Sequence, residues 1–156
     1  MRKFEFISDE QMKEDLEIGL AVIPKRGTRF SSGYDFIIPM SVVIHPGETV
    51  LIPTGIKACM EKDEVLQLYP RSSLGFKYRL QLCNTVGIID SDYYSNPKND
   101  GHIWVKYHNA GDEVVRLKEG DAFCQGIFTK FLLVDGDNFI DGEDRVGGIG
   151  STNKEN

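Results

Sequence analysis

The sequence is poor in cysteine and has no long apolar run. Its 156 residues include three cysteines, Cys59, Cys83 and Cys124, an odd number whose spacing matches no zinc motif. We therefore expect reduced core thiols in a cytoplasmic protein. No apolar run is long enough to cross a membrane, and the first ten residues lack the apolar segment of a signal peptide, so we expect no membrane partner.

Positive charge is also scarce. Lysine and arginine number 18 against 24 aspartate and glutamate residues, which gives a net charge of −6. Nucleic-acid binding needs a basic surface, so we expect no nucleic-acid partner. A small, highly anionic ligand would need a local cluster of arginine and backbone N–H groups, with a metal ion.

Short segments with β-branched and aromatic residues dominate the chain. Seven of them lie between turn signals: Lys3–Ile7, Thr49–Pro53, Gly55–Met60, Glu64–Tyr69, His102–His108, Glu113–Leu117 and Ala122–Leu133. Only Ser8–Glu17 looks helical, with Ser8 and Gln11 spaced as in a capping box. This pattern predicts an all-β sandwich, jelly roll or barrel. We place the barrel in residues 1–134, and a flexible connector and glycine-rich tail in residues 135–156.

The apolar strand from Val86 to Ile89 ends in Asp90. A carboxylate at a strand end is rigidly aimed, as a general base must be. Asp-Ser-Asp sequences also commonly open turns, so both interpretations stand on the residues alone.

Five segments carry a resemblance to a known family: Ser32–Phe36, Pro70–Gly75, Asn84–Tyr93, Gly120–Gln125 and Arg145–Thr152. In this order and spacing they resemble the five motifs of the trimeric dUTPases, which split dUTP into dUMP and pyrophosphate. The resemblance runs from about residue 33 to the C-terminus. It implies a distorted jelly-roll-like β-barrel, a homotrimer with a swapped C-terminal tail, and Mg²⁺ as cofactor.

The resemblance also implies catalytic roles. Asp90 would orient and deprotonate the water that attacks the α-phosphorus. Arg71 and Ser72 would contact the phosphates, although Ser72 also fits a helix N-cap. Gln125 would lie near the phosphates and the water. Asp35 would hold water on Mg²⁺, with a structural turn role as the alternative.

Further residues would bind the nucleotide. Tyr93 would pack against the deoxyribose and exclude a 2′-hydroxyl, with a half-buried strand aromatic as the alternative. Asn84 would read the uracil edge, although it could also stabilise a turn. The remaining candidates implied by the motifs are Ser73, Gly87, Ile88, Ile89, Arg145, Gly148, Ile149, Ser151 and Thr152.

Two departures from the family pattern stand out. Ile149 occupies the position of a phenylalanine that stacks over the uracil. Residues 94–100 are an insertion, and aligning Gly101 with the usual glycine puts Trp104 beside the sugar and base. A core or trimer-interface position is the alternative for Trp104.

Two other functions are compatible with parts of the sequence. A dCTP deaminase shares the fold and an Arg-Ser-Ser segment, but Lys106 stands where its chemistry expects a glutamate. A regulatory module switched by nucleotide could present residues 8–17 and 94–100 to a protein partner.

Overall fold

The described part of the chain is built almost wholly from short strands. This computed structural model describes residues 1–16, 20–137, 142, 145, 147 and 148. The elements are β1 Lys3–Phe6, α1 Asp9–Asp15, β2 Lys25–Arg26, β3 Tyr34–Ile37, β4 Val42–Ile44, β5 Thr49–Pro53, β6 Ile56–Cys59, β7 Glu64–Pro70, α2 Ser72–Tyr78, β8 Leu80–Leu82, β9 Gly87–Asp90, a 3₁₀ turn Ser91–Tyr93, β10 Trp104–Asn109, β11 Val115–Leu117 and β12 Ala122–Lys130. No helix among these residues is long and apolar enough to cross a membrane.

The strands pair antiparallel throughout the described residues. The largest sheet has the order β2-β3-β12-β7-β9, and a second has the order β5-β10-β8. The two-stranded pairs β1-β6 and β4-β11 complete the walls. This arrangement confirms the jelly-roll-like all-β prediction.

The core lies between these sheets. Its largest fully buried side chains include Phe36 of β3, Tyr107 of β10 and Phe123 of β12. The Tyr107 hydroxyl donates to the Phe123 carbonyl at 2.7 Å, so a polar group is satisfied inside the apolar core. This core fixes β7, β9 and β10, which carry or adjoin the predicted site residues.

All seven predicted strands contain an observed strand: β1, β5, β6, β7, β10, β11 and β12. The helix prediction is confirmed from Asp9 to Asp15, because the Ser8 hydroxyl accepts from the Gln11 N–H at 3.2 Å and caps the first turn. Glu17 lies outside the described residues. Four short strands of two to four residues each, β2, β3, β4 and β8, were not predicted.

The cysteine prediction is partly wrong. Cys124 is buried in β12 and Cys59 is half-buried in β6, but Cys83 is exposed. Cys83 follows β8 in the turn before β9, where a side chain faces solvent.

The tail is described only in part. A turn occupies residues 135 and 136, and beyond Asp137 only residues 142, 145, 147 and 148 are described. The predicted contacts of Ile149, Ser151 and Thr152 lie outside the described residues. The division into a barrel and a flexible tail stays a prediction.

Candidate active site

The predicted site residues that the structure describes line two cavities. The first, which we call the Asp90 cavity, measures about 500 Å³ and contains Asn84, Gly87, Ile88, Ile89, Asp90, Tyr93, Trp104, Arg145 and Gly148. The second, the Arg71 cavity, measures about 440 Å³ and contains Gly33, Asp35, Arg71, Ser72, Ser73 and Gln125. The sequence motifs therefore converge in two groups within one chain.

Asp90 and Arg145 meet at the mouth of the first cavity. The Arg145 Nη2 donates to Asp90 Oδ2 at 2.6 Å, and its Nε donates to Asp92 Oδ1 at 2.7 Å. The Arg145 side chain is 18% exposed, whereas that of Asp90 is 49% exposed. A planar guanidinium that bridges two carboxylates has the geometry to grip phosphate oxygens instead.

Tyr93 is fixed at its hydroxyl. That hydroxyl donates to the His102 carbonyl at 2.7 Å and accepts from the Asn99 side-chain amide at 2.8 Å. Burial raises the pKa of Tyr93, so the hydroxyl keeps the proton that it donates. The strand alternative for Tyr93 is wrong, because the residue lies in the 3₁₀ turn that follows Asp90.

Trp104 and Asn84 also line the Asp90 cavity. Trp104 opens β10 half-buried, and its ring centroid lies 4.8 Å from that of His102. Asn84 is exposed in the turn between β8 and β9 and also lines the cavity. Its position is therefore compatible both with a turn-stabilising role and with a contact to the nucleotide. Gly87 has no room for a side chain, since a Cβ would lie 2.9 Å from the Leu68 Cβ.

Seven residues that line the Asp90 cavity were not predicted as site residues: Gln11, Glu14 and Asp15 from α1, Leu51 of β5, Leu68 of β7, and Lys98 and Asn99 from the insertion. The link that brings α1 here is a contact between Asp15 and His102, 87 positions apart. No local pattern signals a contact over that distance. Residues 8–17 and 94–100, predicted only as partner surfaces, thus contribute to the wall of this cavity.

His102 is buried and neutral, and its ring links the backbone at Gly55 to Asp15 of α1. Its Nε2 accepts from the Gly55 N–H at 2.8 Å, so the ring proton must sit on Nδ1, which lies 2.5 Å from Asp15 Oδ2. Burial lowers the pKa of His102, and the hydrogen bond to Asp15 only partly opposes that effect.

The Arg71 cavity is organised by the end of β7 and the start of α2. Arg71 is the N-cap residue and makes no side-chain capping bond, so the prediction of Ser72 as N-cap is wrong. Arg71 Nε lies 3.4 Å from Asp35 Oδ1. Ser72 and Ser73 are exposed in the first turn of α2, with their hydroxyls available to a ligand.

Asp35 and Gln125 face each other across the β3–β12 ladder. Asp35 lies within β3, so its turn alternative is wrong. Gln125 donates through Nε2 to the Pro70 carbonyl at 3.1 Å. A Cβ on Gly33 would lie 2.6 Å from Gln125 Oε1, so a larger residue there would displace the end of the Gln125 side chain.

Strand register separates the two cavities. Asp90 lies opposite Val65 of β7, and Arg71 follows the far end of the same strand in an extended conformation. Extended chain from position 65 to position 71 spans roughly 20 Å. A general base acts within about 3 Å of its proton, so Asp90 and Arg71 of one chain cannot serve the same reacting atom.

Comparison with known proteins finds one family that matches most of the chain. A dUTPase family model matches residues 20–153. The deoxyuridine 5′-triphosphate nucleotidohydrolase of Lactococcus lactis is 49% identical over 130 residues, 83% of this chain and 87% of that protein. The enzyme of the same name from Laribacter hongkongensis is 37% identical over 138 residues, 85% of this chain and 89% of that protein.

Solved structures agree with the fold. A dUTPase from Streptococcus mutans is 43% identical and superposes with a TM-score of 0.70, over 86% of this chain and 99% of that chain. A mutant dUTPase from phage phi11 of S. aureus, described with a structural Mg(II) ion, is 17% identical with a TM-score of 0.66. It covers 86% of this chain and 94% of that chain, and at this identity the match speaks for the fold alone.

Proposed function

The chain belongs to the dUTPase family, and we infer from this that it hydrolyses dUTP to dUMP and pyrophosphate. The observation that carries the inference is Asp90, a carboxylate at the end of a buried strand, half-exposed in a cavity that also holds Tyr93 and Trp104. Aromatic rings suit a base and sugar, and an aimed carboxylate suits activation of water.

In the proposed mechanism Asp90 accepts a proton from the water that attacks the α-phosphorus. Arg145 leaves the two carboxylates and binds phosphate oxygens, which frees Asp90 to act as base. Arg71 and Ser72 stabilise the charge that develops as pyrophosphate departs, and Gln125 helps to hold the water. Tyr93 closes the space beside the sugar where a 2′-hydroxyl would lie.

The two cavities lead us to propose that each site is shared between chains of a homotrimer. Since about 20 Å of strand separates Asp90 from Arg71, the Arg71 cavity of one subunit must face the Asp90 cavity of another. This arrangement brings base and phosphate contacts to one substrate without distorting β7. A swapped tail remains part of the proposal.

The donor set of the Arg71 cavity fits Mg²⁺. Asp35 offers a carboxylate, and Gln125 offers an amide oxygen, beside the residues proposed to hold phosphates. Mg²⁺ favours such oxygen ligands with retained waters and substrate phosphates. The ion, when bound, would neutralise phosphate charge. Asp35 would hold it through water.

Neither alternative function gains support. Deamination would need a carboxylate at position 106, and Lys106 is exposed on β10. A regulatory role stays a prediction, but residues 8–17 and 94–100 contribute lining to the Asp90 cavity. A protein partner that bound these segments would therefore lie beside the proposed substrate site.

The direct test is pyrophosphate release from dUTP, dCTP, dTTP and UTP with Mg²⁺. We expect dUTP to be hydrolysed with a kcat/KM far above that of the other three. Ammonia release from dCTP, or equal turnover of all four, would contradict the assignment.

A further inference from the structure

The insertion at residues 94–100 forms a turn that is held by internal hydrogen bonds. Asn96 is 5% exposed, and its side-chain amide donates to the Tyr93 carbonyl and to Asn99 Oδ1, each at 2.8 Å. Its Oδ1 accepts from the backbone N–H groups of Lys98 and Asn99 at 3.1 and 3.3 Å. A buried amide satisfied on both sides fixes one conformation of the turn.

The turn is braced against the rest of the fold. Asp100 receives two hydrogen bonds of 2.9 Å from Lys57 of β6, and one of 2.7 Å from the backbone N–H of Ser8. His102, directly after the turn, is held by Asp15 and Gly55. Both ends of the insertion are tied to neighbouring elements, since Lys57 also donates to the Ser95 hydroxyl near its start, at 3.2 Å.

The Asn99 side chain of this turn lines the Asp90 cavity. Asn99 Oδ1 accepts from Asn96 and from the Gly101 N–H at 3.2 Å, which orients its nitrogen toward the Tyr93 hydroxyl at 2.8 Å. The same hydroxyl donates to the His102 carbonyl. The far end of the Tyr93 ring is thus held from two directions, by Asn99 of the insertion and by the His102 carbonyl.

Fixing the hydroxyl matters because it lies at the end of the side chain. A small rotation about the Cα–Cβ bond moves the far edge of the ring by more than an ångström. A steric block works only while it stays in place, since a shift of that size would admit one more oxygen atom on the sugar.

We propose that Asn99 is a positioning residue that sets discrimination between deoxyribose and ribose, by holding the Tyr93 ring against the sugar site. The proposal rests on the proposed function and its role for Tyr93, and it gives the insertion a part in substrate selection. Gly148 of the tail lies beside the same pair, with its Cβ position 3.3 Å from the Tyr93 hydroxyl and 3.5 Å from the Asn99 amide.

The test is a double-mutant cycle on the full-length protein. Tyr93→Phe keeps the ring and removes the anchored hydroxyl, whereas Asn99→Ala keeps the hydroxyl and removes its donor. The ratio of kcat/KM for dUTP to that for UTP is measured for the two single variants, the double variant and the unmodified chain. One hydrogen bond of ordinary strength predicts that each single change lowers the ratio roughly three- to tenfold.

The double variant should lower the ratio no further than the larger single effect, because both changes break the same link. Pro97→Ala, an exposed change in the same turn, should leave the ratio unaltered. A purely structural role for Asn99 would lower the melting temperature and leave the ratio intact, and Tyr93→Phe would then also leave it intact.

The outcomes distinguish a failure of the proposed function from a failure of the positioning role of Asn99. An unmodified protein that does not hydrolyse dUTP refutes the proposed function. A protein that hydrolyses dUTP and rejects UTP, with unchanged ratios in Tyr93→Phe and Asn99→Ala or with effects that multiply in the double variant, refutes the positioning role alone.

Discussion

Asp90 is the residue that we propose as the general base. Its carboxylate is held by Arg145 and remains half-exposed, so a water can reach it once the guanidinium moves. We expect Asp90→Asn to fold and to bind nucleotide while its kcat falls on the order of 10²- to 10⁴-fold, the usual cost of losing a positioned base.

The matched control is Asp92→Asn. Asp92 also accepts from Arg145, at 2.7 Å, but is not proposed as the base, so its replacement should cost far less turnover. Steady-state kinetics and a binding isotherm with a non-hydrolysable analogue measure both variants. Equal losses at the two positions would mean that the carboxylates act only by holding Arg145.

His102 makes folding stability depend on pH. Its pKa is lowered in the folded protein by burial, so the unfolded chain takes up the proton first as the pH falls. The contribution of His102 is therefore fully present above the ordinary histidine pKa of about 6.5 and is progressively lost below it. Protonation would also put an N–H against the Gly55 N–H that Nε2 now accepts.

His102→Gln tests this effect, since glutamine carries a donor and an acceptor but does not titrate in this range. Urea denaturation should show a destabilised variant at pH 7.5, with a difference from the unmodified protein that shrinks by pH 5.5. A difference that stays constant across that range would show that protonation of His102 does not contribute.

Single residues were predictable where a motif carried them. The sequence grouped Asp90, Tyr93, Trp104 and Arg145, and these four line one cavity. It could not reveal Asn99 as a partner of Tyr93. A side-chain amide in a polar turn looks the same whether it faces solvent or a neighbouring hydroxyl.

Among the elements, β7 and its neighbours decide the geometry of the site. The long strands of the barrel were predictable because they alternate in hydrophobicity over five or more residues. Helix α2 was predictable only as an alternative at Ser72, since seven residues that follow an arginine N-cap carry little helical signal. The register of β9 on β7, which separates Asp90 from Arg71, could not be read from either strand alone.

The tail is the element whose placement is most open to experiment. Within this chain Arg145 donates to its own Asp90 and Asp92, whereas the family resemblance implies that the tail closes the site of a neighbouring subunit. We predict that the subunits of the trimer exchange their tails. Asp90→Asn and Arg145→Ala, each nearly inactive alone, should regain activity in about a quarter of sites when co-expressed at random in closed trimers.

Closure of each site by its own tail gives a different result. Every site built from Asp90→Asn and Arg145→Ala chains would then lack one group or the other. Co-expressed protein would show no activity above that of the two pure variants.

For the whole molecule, the decisive feature is that one chain divides the proposed site residues between two cavities. The Asp90 cavity has the proposed base and the aromatic rings, and the Arg71 cavity has the proposed phosphate contacts. The family resemblance predicted a trimer, and the strand register supplies a physical reason why catalysis would require one. The net charge of −6 is consistent with a phosphate site confined to a few arginines.

The most direct measurement is complementation between the two halves. Asp90→Asn and Arg71→Ala chains carry different tags, are co-expressed in equal amounts, and are purified through both tags before dUTP hydrolysis is assayed. Purification through both tags leaves only mixed trimers, and shared sites then predict full turnover in about a third of sites, those that draw Asp90 from one chain and Arg71 from another. Mixed trimers no more active than either pure variant would contradict a site shared between subunits.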